Sequence, residues 1–539
     1  MCGIFAYISK TKIKDTFQSK LVREALKSKH RGPDNTKYRL ENGNIFICFH
    51  RLCINDISDK GDQPLTHPDD YNIILICNGE IYNYKELQIK YNFKMNSNSD
   101  CEIILHLYKK FGFKKTIQML DGVFACTLFD LRDNQQKIFV ARDPIGVRSL
   151  YIGTNDEGHV AFSSEMKSLH NVIDNIEQFK PGHIWNNIDN KYECYYDIDK
   201  IYYDNPRNDT WDETLKNVRE KFINAVEKRL MSDRPIGCLL SGGLDSSLVA
   251  AILSKKCKLN TYSVGLKGSP DLKYAKLVAE HLGTNHTELI VTEEEMIKEL
   301  EADIYQIETY DTTTIRASTP MLILSKHIKK ISDDIVIYSG EGSDEASGSY
   351  LYFHNAPNIV EFKNETVRLM KDLCYFDVLR CDKSIAGAGL EARVPFLDKD
   401  FLEYYMNIQS EFKIPQKDRI EKHLLRTAFD GLNLLPHEVL WRMKEGMSDG
   451  VSSQKKGWYE IIQDHVETIY TDADFEKLSK KYTWNPPKFK EALYFRELFN
   501  KYYKDRDKTI PYYWLPKWSG DLVEPSARAL VGVYKNEDN

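Results

Sequence analysis

The sequence predicts two folded parts of different class: a strand-rich α+β part over roughly the first 185 residues, then a parallel α/β part that turns helical towards its end. Three observations predict this. Short apolar runs bounded by turn residues dominate the first part, strands alternate with amphipathic helices between residues 211 and 338, and helical spacing takes over beyond about 350.

In chain order, residues 2–9 read as a strand and 16–29 as a helix. Apolar runs at 45–49, 72–77, 123–129, 137–141 and 160–163 read as further strands, and the segment from Ser99 opens as a capped helix. Between Pro181-Gly182 and Asn208 a Tyr-, Asn- and Asp-rich stretch has no long period and reads as a crossover. Helices are expected at 211–231, 246–256, 272–282 and 320–331, with strands at 235–240, 260–264, 287–291 and 335–338. Ligands of such sheets bind beyond the carboxyl ends of the strands. The expected division is 2–185, a linker at 186–208, 209–525, and a loose polar tail from 526 to 539.

Composition narrows the function. The 539 residues are 42% apolar and 29% charged with a net charge of −6, which fits neither a fibre nor a disordered chain. Without a basic excess, neither nucleic acid nor an anionic membrane is expected as the main partner. No apolar run approaches the ~18 residues that span a bilayer, and the N-terminus turns polar by Ser9, too early for a secretory leader. The eleven cysteines form no CxxC pair and no metal-like spacing with histidine. Most sit singly in apolar stretches, as small hydrophobes do in a reducing compartment, so a cytoplasmic protein is expected. The glycosylation sequons at Asn208, Asn285 and Asn364 then carry no meaning.

The strand ending at Leu240 runs into Ser241-Gly242-Gly243-Leu244-Asp245-Ser246-Ser247 and then a helix. Two glycines let the backbone approach an anion, the helix start offers unpaired N–H groups, and the serines add hydroxyls. Asp245 cannot face phosphate directly but can do so through Mg2+. Five such specified residues match by chance in about one chain of this length per thousand. The chain has no Gly-Lys pair, so this is not a GxxxxGK[ST] loop; the SGGxDS form resembles the pyrophosphate loop of N-type ATP pyrophosphatases. The strand ending at Tyr338 leads into a second such loop, Ser339-Gly340-Glu341-Gly342-Ser343-Asp344-Glu345. There Asp344 pairs with Asp245 as a Mg2+ candidate and Glu341 is the candidate base. Gly387 to Ala392 fits GxGxxA, but no strand precedes it, so it is set aside.

Met1-Cys2-Gly3 gains meaning from its company. Loss of Met1 would give Cys2 a thiol and a free α-amine of pKa about 8 that can serve as base to its own side chain. Arg51 suits a substrate carboxylate, Asn78 and the Gly79 N–H an oxyanion, and Asp100 an ammonium group. These residues resemble the class II, N-terminal-nucleophile glutamine amidotransferases. With the SGGLDSS loop behind them, the chain resembles the glutamine-hydrolysing asparagine synthetases along nearly its whole length. The shared segments are HRGPD at 30–34, HRL at 50–52, CNGEIYNY at 77–84, SDCEII at 99–104 and ARDPIGVRSLY at 141–151. In the second part they are LLSGGLDSS at 239–247, ETYDTTTIRASTP at 308–320, SGEGSDE at 339–345, GLEARVPFLD at 389–398 and KEGMSDG at 444–450.

The resemblance implies an Ntn-hydrolase αββα sandwich followed by an adenine-nucleotide α-hydrolase-like domain, acting together as a homodimer. It implies glutamine hydrolysis at Cys2, passage of ammonia through an internal channel, and amination of aspartate activated as β-aspartyl-AMP, with ATP and Mg2+. By motif match Asn78 and Gly79 form the oxyanion hole, and Arg51, Glu80 and Asp100 join them in holding glutamine. Leu240, Val264, Ser339 and Gly340 meet ATP, while Ser241, Gly243, Asp245 and Ser246 cradle pyrophosphate. Asp245 and Asp344 hold Mg2+, Glu341 serves adenylate formation and its attack by ammonia, and Lys444 neutralises phosphate. Three segments depart from the family pattern: Ala346-Ser347-Gly348-Ser349, Glu445-Gly446-Met447 after Lys444, and the unusually small Ile385–Ala388. The alternatives are the same chemistry on another carboxylate, or a non-catalytic paralogue.

Overall fold

Alternation sets the first layers. In β1 (Gly3–Ile8) Ile4 and Ala6 face one way, while Phe5 and Tyr7 face the other, where the Tyr7 ring meets Phe17 of the helix Asp15–Ala25 at 5.3 Å. β2 (Asn35–Glu41) and β3 (Ile45–Arg51) follow, then β4 (Leu65–His67), β5 (Asp70–Ile81), β6 (Gly122–Asp130) and β7 (Lys137–Arg142). β8 (Tyr151–Thr154), β9 (Val160–Ser163), β10 (Asn175–Gln178), β11 (His183–Asn186) and β12 (Lys191–Cys194) complete the set. They build two six-stranded sheets, ordered β10-β8-β9-β1-β3-β2 and β12-β11-β7-β6-β5-β4.

Between the sheets lies a core of Ile4, Ala6, Ile45, Ile47, Phe49, Ile74, Ile76 and Val140. The outer face of the second sheet, through Ile73, Leu75 and Cys77, packs on the helix Ile103–Phe111. Each fully buried Ile or Leu contributes about 1.5–3 kcal/mol relative to exposure, so both faces of β5 are held. The layering is helix, sheet, sheet, helix: the αββα sandwich. Its consequence is positional. Asn78 and Glu80 continue the face of Ile74 and Ile76, so the polar end of β5 points between the sheets towards β1.

The second architecture is a parallel sheet. β13 (Ile236–Leu239), β14 (Asn260–Leu266), β15 (Asn285–Val291) and β16 (Val336–Tyr338) run in the order β15-β14-β13-β16, every neighbour parallel. β13 and β16 are adjacent, so the loops leaving their carboxyl ends lie side by side. Helices dominate from Ile359 onward.

The computed structural model describes residues 1–416, 419–443, 446–453 and 455–526. The chain forms two units: Met1–Ile198 with Met231–Pro235 and Ile385–Ala392, and a second unit from the remaining segments. Two segments differ from the sequence reading. The stretch at 186–208 carries β12, paired to β11, and the helix Ile198–Tyr203; its polar residues hid an edge strand. Ser526, where the polar tail is expected to start, is buried, its hydroxyl donating to Asp449 at 2.8 Å, and the rest of that stretch, 527–539, lies outside the described residues. All eleven cysteines are free, and no helix among the described residues is long and apolar enough to cross a membrane.

Candidate functional site

The first centre lies where β1 meets the end of β5. The Cys2 backbone N–H donates to Asn78 Oδ1 at 2.9 Å, and the Cys2 thiol lies against Leu52, accepting from its N–H at 3.4 Å. Asn78 is 1% exposed, yet its Nδ2 has no hydrogen-bond partner. A buried orphan donor costs about 1–3 kcal/mol, and this one sits beside the cysteine, where an oxyanion would form. Gly79 is required by its neighbours, since a Cβ there would lie 2.4 Å from the Val123 carbonyl oxygen.

Glu80 and Asp100 converge on Asn55, whose amide donates to both carboxylates. Asp100 also accepts from the Ile81 N–H at 2.6 Å. Burial outweighs these hydrogen bonds and pushes the Asp100 carboxyl up to about 6. Arg51 is committed elsewhere: its guanidinium holds Asp62 at 2.6 Å and the carbonyls of Ser58 and Asp56. It therefore fixes the 56–62 loop, a role that the sequence reading missed along with Asn55 and Asp62.

Met1 covers the centre. It is 1% exposed, its ammonium donates to the Leu390 carbonyl at 3.1 Å, and burial lowers that ammonium to about 6. Burial likewise pushes the Cys2 thiol up to about 11 against the pull of the neighbouring ammonium. With Met1 in place the thiol stays protonated and Cys2 has no free amine. Residues of two other shared motifs brace the backbone around this centre. Arg31, fully buried, holds the Cys2 carbonyl at 3.0 Å and Glu165 at 3.2 Å. Asp143 accepts from the N–H groups of Ile145, Gly146, Val147 and Arg148, pinning the turn after β7.

The second centre joins the two loops at the ends of β13 and β16. One cavity is lined by Ser241, Gly243, Asp245, Ser246, Ser339, Gly340, Glu341 and Asp344. Leu240, just past the end of β13, and Val264 on β14 are buried and do not line it. Lys444 lies outside the described residues. Gly243 precedes the helix Leu244–Ser254 with no side-chain cap, leaving its first N–H groups to the cavity. Gly242, at φ +71°, packs so tightly that a Cβ would reach the Ala275 nitrogen at 2.4 Å. Gly340 lets the loops touch: a Cβ there would meet the Ser246 nitrogen at 2.8 Å and Asp245 Cβ at 2.9 Å.

Asp245 and Asp344 converge on one cation. Lys422 Nζ lies 2.5 Å from a carboxylate oxygen of each. Burial opposes the charge on Lys422, but the two carboxylates prevail and raise its pKa. Ser343 and Ser349 donate to the same two carboxylates at 2.7 and 2.6 Å. Burial first, then Asp377 and Asp344, raise the carboxyl of Glu345, the third acid of the loop, well above the usual range. Glu341 is paired with Arg380 at 2.7 Å. Two hard carboxylates meeting at a phosphate-type loop fit Mg2+, which commonly binds through one or two carboxylates plus substrate phosphates.

The two centres define a glutamine-type amidotransferase unit joined to a nucleotide-using synthetase unit, and comparison with known proteins agrees. Residues 1–196 match the glutamine amidotransferase domain, and residues 217–368 and 356–519 match asparagine synthase. Curated relatives include asparagine synthetase [glutamine-hydrolyzing] of Gallus gallus, 44% identical and covering 98% of each chain. The proteins of the same name from Rattus norvegicus and Homo sapiens are 44% and 43% identical, covering 98% of this chain and 99% of theirs. The chain belongs to the asparagine synthetase family. Among solved structures, a Bacillus subtilis glutamine phosphoribosylpyrophosphate amidotransferase covers 48% of this chain and 65% of its own at TM-score 0.30 and 17% identity.

Proposed function

We propose that the protein makes L-asparagine from L-aspartate, ATP and the amide nitrogen of L-glutamine, releasing AMP, pyrophosphate and glutamate. The observation that carries this is the pairing, in one chain with the family's full length, of the Cys2–Asn78 contact with the convergence of Asp245 and Asp344 between two glycine loops.

At the first centre, removal of Met1 frees the Cys2 amine to take the thiol proton, and the thiolate adds to the glutamine amide carbon. Asn78 Nδ2 and the Gly79 N–H stabilise the oxyanion, and its collapse expels ammonia and leaves a thioester, which water hydrolyses to glutamate. Asp100 and Glu80 receive the substrate ammonium, and Arg51, held by Asp62 and the 56–62 loop carbonyls, exchanges part of that pairing for the substrate carboxylate. At the second centre, the aspartate β-carboxylate attacks the α-phosphorus of ATP and pyrophosphate leaves. Ser241, Gly243 and Ser246 hold the pyrophosphate, while Leu240, Val264, Ser339 and Gly340 shape the nucleotide site and Lys444 adds positive charge. Ammonia then attacks the acyl carbon, AMP leaves, and Glu341 takes the surplus proton. Mg2+ arriving with ATP would be held by Asp245 and Asp344 and would neutralise charge on the leaving pyrophosphate. The reading extends to a cytoplasmic homodimer, supported by cysteine usage and family membership.

Cys2→Ala tests the division of labour. It should abolish glutamine-driven asparagine formation and leave ammonia-driven formation within about twofold. Loss of both would refute the two-centre reading.

A further inference from the structure

Lys422 places its Nζ between the two carboxylates, Asp245 and Asp344, that are read above as ligands of Mg2+. It is buried, begins the helix His423–Phe429, and adopts φ +60°, a left-handed conformation that a lysine takes up only under local constraint. Its ammonium is shared by Asp245 and Asp344 at 2.5 Å each, and it comes from 177 residues further along the chain than Asp245. Two carboxylates facing one point repel unless a cation lies between them. The cavity wall thus contains its own counter-ion, and no separate ion is needed to keep the loops together.

From this contact we infer that Lys422 is a built-in placeholder for the metal: it holds Asp245 and Asp344 in register when no nucleotide is bound, and excludes free divalent cation until a metal–nucleotide complex displaces it. This rests on the reading of Asp245 and Asp344 as metal ligands. The reason for ordered entry is competition. Free Mg2+ must give up part of its hydration shell and break two close ion pairs to enter, while phosphate oxygens arriving with the metal offer the displaced ammonium a new partner. Lys422 is on this account a positioning residue, acting through the two carboxylates.

The test uses Mn2+ as the spectroscopic stand-in. Without nucleotide, the native chain should bind Mn2+ weakly by electron paramagnetic resonance, and its melting temperature should not respond to Mn2+ alone. Adding a non-cleavable α,β-methylene ATP should bring on both tight Mn2+ binding and thermal stabilisation. Lys422→Met should bind Mn2+ without nucleotide at least tenfold more tightly than the native chain, and Lys422→Arg should restore exclusion. Equal nucleotide-free affinity in the native and Met chains overturns the placeholder. If the Met variant fails to fold, the native chain decides alone: stabilisation by Mn2+ without nucleotide overturns the inference, and indifference supports it. Failure of the functional reading itself would show separately, as a native chain that releases no aspartate-dependent pyrophosphate.

Discussion

Removing the Asn78 side chain separates activity from stability more sharply than any other change at the first centre. In Asn78→Ala the oxyanion loses its side-chain donor, which in acyl-transfer sites costs about 10²–10³ in kcat, or about 2.7–4 kcal/mol. The fold loses little. The Cys2 N–H loses its acceptor, at a cost of about 1–3 kcal/mol, while an orphan Nδ2 that costs about the same in the native chain disappears. These two terms offset, so the melting temperature should stay within about 4 °C. Asn78→Asp sharpens the test: it keeps the acceptor for the Cys2 nitrogen and replaces the donor by a second acceptor. It should therefore lose as much activity as the Ala variant. The assay is glutamate release from glutamine, with ammonia-driven pyrophosphate release in the same preparation as the control. A glutaminase loss under threefold, an active Asp variant, or an equal fall in the ammonia-driven reaction would refute the oxyanion argument.

Asp100 gives the pH dependence. Its carboxyl titrates near 6 in the folded chain against an ordinary value of 3.8, so the folded state binds the proton more tightly than the unfolded one, and stability falls as pH rises from about 4 to 6. Above that window the buried carboxylate costs up to about 3 kcal/mol, so Asp100→Asn should melt higher at pH 8 by calorimetry. It should also lose glutamine affinity, and the native kcat/KM for glutamine should fall below pH 6 as the protonated acid stops pairing with the substrate ammonium. A native profile flat down to pH 5 would remove Asp100 from the clamp. Gly340→Ala should raise KM for ATP at least tenfold, because its Cβ collides with the backbone of the neighbouring loop. Unchanged ATP kinetics would mean that the loops need no such contact.

How much of this was legible in the sequence depended on whether a residue advertised its role locally. β5 and the two glycine loops did, because strand alternation and strand-to-helix glycines carry direct physical signals, and Cys2 gained meaning from them. β2 and β12 did not, since Asn35–Glu41 and Lys191–Cys194 are largely polar edge segments without clean alternation. Lys422 was invisible for another reason: it lies in no glycine loop, and only the fold brings it to Asp245. Arg51 carried the right chemistry for a substrate carboxylate, but Asp62 and two loop carbonyls hold it in the absence of substrate. Glu524 and Ser526, at the expected boundary between the second part and a polar tail, are fixed by Arg316 at 2.5 Å and Asp449 at 2.8 Å. No spacing rule signals a pairing across 208 residues.

The most direct measurement of the whole account is pyrophosphate release from Mg-ATP and glutamine, with and without aspartate, with the glutamine amide carrying 15N. The expected result is pyrophosphate that depends on aspartate, in step with 15N appearing in the asparagine side chain. Glutamate formation without aspartate-dependent pyrophosphate would contradict it, and would leave the first centre standing with the acceptor wrongly assigned.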